Sequence, residues 1–90
     1  MRSIIEQAAA ALADNLRYDA PAGKWMLWSG THWQHDDTLA AFDLARLICR
    51  QISRQVPSSL AAAVASAQTI AAVERRAKAL ALAKARHDVR

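Results

Sequence analysis

The chain has 90 residues, a formal net charge of +4, two glycines and a single cysteine. That length makes one domain with a small core, and one cysteine excludes an internal disulfide and a four-cysteine metal knuckle while fitting a reducing compartment. Two glycines exclude a phosphate-binding loop and a dinucleotide fingerprint, and no apolar run reaches membrane-spanning length.

The charge is unevenly spread. Residues 1–43 carry three basic and six acidic side chains, a net of −3, whereas residues 44–90 carry nine and two, a net of +7. The second half is the expected surface for an anion, either a phosphate backbone or an acidic protein surface.

In chain order, the opening segment MRSIIEQAAAALAD has the arginine and apolar stretch of a signal peptide, but Glu6 and Gln7 interrupt it. Ser3 and Glu6 have capping-box spacing, and Ile5, Ala8, Ala9, Leu12 and Leu16 form one apolar helical face. YDAPAGK then breaks the helix at Pro21 and Gly23. The stretch KWMLWSGTHW holds all three tryptophans and, divided by Ser29-Gly30, reads as a β-hairpin over residues 24–35. With a loop of two or four residues, Trp28 and Trp33 share one face, diagonally or directly opposed, and Trp25 takes the other. Trp28 and Trp33 are the rings expected to close a core that alanine leaves thin. Trp25 is then the ring expected to stack on a base or anchor a partner.

HDDT follows, and Asp36 or Asp37 is the expected cap of a long helix over 37–55. Ala41, Leu44, Ala45, Ile48, Cys49, Ile52 and Val56 share its apolar arc, and Arg46, Arg50 and Arg54 form a ridge outside it. Pro57 ends this helix, Ser58 or Ser59 caps a short alanine-rich one, and SAQT makes a second break with Thr69 as the cap of a final helix. There Ile70, Val73, Ala77 and Leu80 line one side, Arg75, Lys78, Arg86 and Arg90 the opposite side, and Arg76 lies between. The fold class is mainly α: about four helices with one short Trp-rich β-hairpin inserted after the first, in a single domain 1–90.

Little in the chain points to catalysis or metal. His32 and His35 have opposite strand parity and diverge, Asp36 and Asp37 are better placed as caps, and Cys49 lies on an apolar face where thiols are inert. No nucleophile accompanies the three histidines. Phosphate neutralisation, by contrast, needs several cations in register, which the two basic helix faces supply.

The pattern W..WSGTHWQHDDT, followed by FDLARLICR and SAQTIAAVERRA, resembles the segment just ahead of the superfamily-3 helicase domain in phage and plasmid primase–helicases. The matching positions are Trp25, Trp28, Gly30, Trp33, Asp37 and Thr38, then Ala45, Ile48 and Arg50, and finally Ser66, Thr69, Ala72 and Val73. The resemblance spans most of residues 14–80, and the hairpin is its most specific part. It implies a module of a DNA replication protein, set between priming and unwinding activities, and it carries over no catalytic residue. Proteins of that family continue toward the helicase where this chain stops at Arg90. The expectation is either an excised domain or a free-standing relative from a mobile element.

The expected function is therefore a non-enzymatic nucleic-acid-binding or replication-accessory module of the host-cell cytoplasm, with no cofactor, no metal and no membrane contact. Its expected binding residues are Arg46, Arg50, Arg54, Arg75, Lys78, Arg86 and Trp25. The alternative is a protein–protein binding role, for example an inhibitor of a bacterial CRISPR-type defence complex. A basic inhibitor would clamp an acidic surface of that host defence protein or occupy its nucleic-acid-facing region. Self-association into a homodimer is a third expectation, because alanine-rich helices allow close approach.

Overall fold

The computed structural model describes residues 2–88, with side chains placed from Ser3 to Lys84. Helix α1 (Arg2–Asn15) leads into three short strands, β1 (Arg17–Asp19), β2 (Lys24–Trp28) and β3 (Trp33–His35). Three helices follow: α2 (Ala40–Ser53), α3 (Ser58–Val64) and α4 (Ala67–Asp88). The fold is mainly helical with a small antiparallel sheet after the first helix, as the sequence pattern predicts, but the sheet has three strands rather than two.

The extra strand comes from residues that read as a helix breaker. Pro21 and Gly23 build the β1–β2 turn: Gly23 donates its N–H to the Ala20 carbonyl at 3.1 Å and sits at φ +67°. Proline presets φ at the first corner and glycine supplies the left-handed exit, so the chain reverses instead of wandering. Arg17, Tyr18 and Asp19 then pair with Met26, Trp25 and Lys24. The β2–β3 loop has four residues, closed by the Ser29 N–H on the His32 carbonyl at 2.9 Å. That length places Trp28 directly opposite Trp33.

The core lies where α1, α2 and α4 meet. Ala8, Ala9 and Ala13 of α1, Ala41 and Ala45 of α2, and Ala77 and Ala81 of α4 are buried together with Leu12, Cys49, Val64 and Val73. Small side chains let the helix backbones approach closely, but each methyl contributes only about 0.8 kcal/mol of transfer free energy. A buried indole, removing about 150–250 Å² from water, outweighs several of them. Trp25 supplies that ring and is 7 % exposed.

Four caps differ from the sequence expectation, and in α3 Pro57 stands at the N-cap with no side-chain bond, in place of the expected Ser58 or Ser59. Helix α1 already starts at Arg2, ahead of Ser3, and Glu6 turns to Arg76 of α4 in place of a capping box. Helix α4 is capped by Ser66, whose Oγ accepts the Thr69 N–H at 3.2 Å; Thr69 instead donates its hydroxyl to the Ala63 carbonyl at 2.7 Å and ties α3 to α4. Asp36 does cap α2, but from a distance. Its Oδ1 accepts the Ala40 N–H at 2.9 Å and its Oδ2 the Ala41 N–H at 2.8 Å, so the helix begins at Ala40 rather than at residue 37.

The chain reaches this geometry by putting Leu39 in the left-handed region, at φ 59°. A leucine there costs about 1–2 kcal/mol. Two hydrogen bonds to a carboxylate, at about 1.5–3 kcal/mol each, exceed that cost. Partial burial raises the Asp36 pKa, and the N–H groups of Ala41, Ala40 and Thr38 together outweigh it and hold the carboxyl below its ordinary range. A depressed folded-state pKa means stability that is present above the ordinary value of about 3.9 and is lost as pH falls through the folded-state value. Asp36→Asn is expected to cost about 1 kcal/mol at neutral pH. Urea melts should show the two proteins converging as the medium is acidified below about pH 3.9.

Candidate functional site

Of the six cations expected to bind an anion, the five whose side chains are described do not gather in one patch. Arg46, Arg50 and Arg54 are exposed along the outer side of α2 and its C-cap, opposite buried Ala41, Ala45 and Cys49. Arg46 Nη1 lies 3.7 Å from Asp43 Oδ1, a loose surface pair. Arg50 and Arg54 have no ion pair among the described residues, so two of the three guanidinium groups face water uncommitted. Leu47, 51 % exposed, lies beside them on the same outer side.

Arg75 is exposed on the outer side of α4, where Val73 and Ala77 turn inward. Because α2 and α4 direct their apolar stripes to a shared core, their outer sides diverge, and Arg75 stands apart from the α2 ridge. Lys78 is committed elsewhere. Its Nζ is 3.0 Å from Glu74 Oε2 and 5.4 Å from the centroid of the Tyr18 ring. Arg86 lies outside the residues whose side chains are described.

Trp25 is the main correction. Expected at the rim, it is buried: its Nε1 donates to Glu74 Oε2 at 2.8 Å, and its ring meets Tyr18 edge-on at a centroid distance of 5.2 Å. Pairing with Tyr18 puts Trp25 on the face that packs against α4, and strand alternation puts Trp28 and Trp33 on the other. Trp28 is 55 % exposed and Trp33 half-buried, so the two rings expected to close the core lie outside it.

The outer face of the sheet holds a cluster that no single stretch of sequence contains. Trp28 and Trp33 meet edge-on, with centroids 5.6 Å apart. Arg17 reaches from β1 across the central strand and places its guanidinium 4.7 Å from the centroid of the Trp33 ring. His35 Nε2 pairs with Asp19 Oδ2 at 2.9 Å, and Lys24 Nζ with Asp37 Oδ1 at 2.9 Å. The imidazole, and after it the Ala22 N–H, holds the Asp19 carboxyl below its ordinary range. Hairpin parity puts Trp28 with Trp33, as the sequence pattern predicts. Arg17 had no such signal, because its strand is three residues long.

Among the described residues no three His, Cys, Asp or Glu side chains are grouped to hold a metal ion. Burial pushes the Cys49 thiol up, which disfavours the thiolate. An open depression of about 310 Å³ beside β3 is lined by Leu27, Gln34, His35, Asp36, Asp37 and Thr38, but both aspartates there are already engaged, one as cap and one with Lys24. No described helix is long and apolar enough to cross a membrane.

The family model described as "D5 N terminal like" matches residues 6–90. No curated protein and no solved structure matches the chain.

The inward placement of Trp25 sets an expectation. Trp25→Phe, which removes the bond to Glu74 and part of a buried ring, should cost about 2–4 kcal/mol in denaturant melts. Trp28→Phe, at an exposed position, should stay within about 0.5 kcal/mol.

Proposed function

The chain belongs to the D5 N-terminal-like family, the N-terminal region of phage and plasmid primase–helicases, and on that premise we propose that it is a replication-accessory module that binds nucleic acid through the outer side of α2. The matched region is distinct from the catalytic helicase domain, and the module acts by binding rather than by catalysis. One observation carries the reading: Arg46, Arg50 and Arg54 stand exposed in register, and only Arg46 is near a carboxylate among the described residues.

Such a ridge binds phosphates by displacing condensed counterions, without base contacts of its own. Arg75, on its separate side of α4, adds a second phosphate contact for a strand that wraps the bundle. Exposed Leu47 beside the ridge favours a second reading, in which the same side clamps an acidic protein surface, such as that of a host defence complex. A stable complex with such a protein in nuclease-treated extract, alongside no affinity for nucleic acid, is the outcome that selects it.

Replacing Arg46, Arg50 and Arg54 together by glutamine tests the primary reading. All three are exposed, so thermal stability should change little. In fluorescence-anisotropy titrations against single-stranded DNA, affinity should drop sharply. The slope of log affinity against log salt should flatten by roughly 2, the share of three phosphate contacts on a single strand. Unchanged affinity and slope in the triple variant would contradict the assignment.

A further inference from the structure

We propose that the outer face of the sheet is a stacking platform for an unpaired nucleobase, with Trp28 as the stacking ring and Arg17 as the contact to the adjoining phosphate. This rests on the nucleic-acid reading above and adds to it a preference for single strands and a site away from α2.

Three observations support it. First, Trp28 leaves more than half its surface in water, at 55 % exposure, on a chain whose small core already takes a buried indole from Trp25. Its edge contact with Trp33 accounts for a cross-strand pair worth about 0.2–1 kcal/mol, which smaller β-branched residues would also supply without an exposed indole. Second, Trp33 is already covered by the Arg17 guanidinium, so the cation that a nucleotide phosphate needs is seated next to the open ring. Third, the charges on this face complement a nucleotide. Asp19 and Asp37 are each engaged by a partner of their own, His35 and Lys24, whereas Arg17 has no carboxylate partner among the described residues.

An aromatic ring on a sheet surface, flanked by a guanidinium, holds any base by its π-face and tolerates sequence, as single-strand-binding modules do. A duplex keeps its bases stacked inside and offers none to Trp28. The platform therefore separates strands by pairing state, whereas the α2 ridge answers to phosphate alone.

Anisotropy titrations test this with labelled oligothymidylate of about twelve nucleotides, an abasic deoxyribose-phosphate oligomer of the same length, and the corresponding duplex. Wild-type protein should bind oligothymidylate roughly 5- to 150-fold more tightly than the abasic oligomer, the range expected of one stacked base. Trp28→Ala should remove that ratio while leaving abasic binding and its salt slope intact. Trp28→Phe should keep most of the ratio, since a phenyl ring still stacks. The Arg46, Arg50 and Arg54 triple-glutamine variant should weaken both ligands together and preserve the ratio. Equal wild-type affinity for the two oligomers, or a ratio that survives Trp28→Ala, would overturn the platform while leaving the phosphate-binding reading in place. Wild-type protein that binds none of the three would overturn both.

Discussion

The indole N–H of Trp25 donates to the Glu74 carboxylate at 2.8 Å across 49 positions of sequence, and the orientation of the whole sheet hangs on that bond. Glu74 also holds Lys78, and Lys78 lies over Tyr18, which packs edge-on against Trp25. Four residues from two strands and one helix thus close a ring of contacts between sheet and bundle. A carboxylate held mostly out of water needs donors, and the indole and ammonium provide them; a lone Glu74 there would be costly. A three-stranded sheet with strands of three to five residues is marginal alone. Docking through one large ring makes it stable and at the same time turns Trp28 and Trp33 outward.

The helices were largely legible in the sequence because their signals are local. Apolar spacing on α1, α2 and α4 named Ala8, Leu12, Ala45, Cys49, Val73 and Ala77 as inward, and all are buried. Cap positions were less legible. The pattern leaves Asp36 and Asp37 both open as the cap, and the reach of Asp36 to Ala40 and Ala41 depends on a left-handed Leu39, which no propensity favours. Hairpin parity separated Trp25 from Trp28 and Trp33 correctly. Parity could not say which face was inner, because that depends on Glu74, one of only two acidic residues in the basic half. In the sequence Glu74 only lowers the charge of that half by one, and nothing local marks it as a partner for an indole. Lys78, expected on the binding surface, is engaged by Glu74 and lies over Tyr18.

The two candidate surfaces answer different chemistry. The α2 ridge is a row of guanidinium groups with little aromatic character, suited to backbone phosphate and sensitive to salt. The outer sheet face is aromatic with a single uncommitted arginine, suited to a base and less dependent on ionic strength. The chain's family is that of the N-terminal region of phage and plasmid primase–helicases. Neither surface needs the core to rearrange, because each lies opposite a buried stripe that fixes it.

The most direct measurement is hydrogen exchange at the three indole N–H groups, followed by proton–nitrogen NMR on the free protein. If Trp25 is buried and bonded to Glu74, its indole signal persists long after those of Trp28 and Trp33 have exchanged. A Trp25 indole that exchanges as fast as that of Trp28, or faster, would mean that the sheet docks by its other face. The exposed platform would then be the wrong side of the sheet.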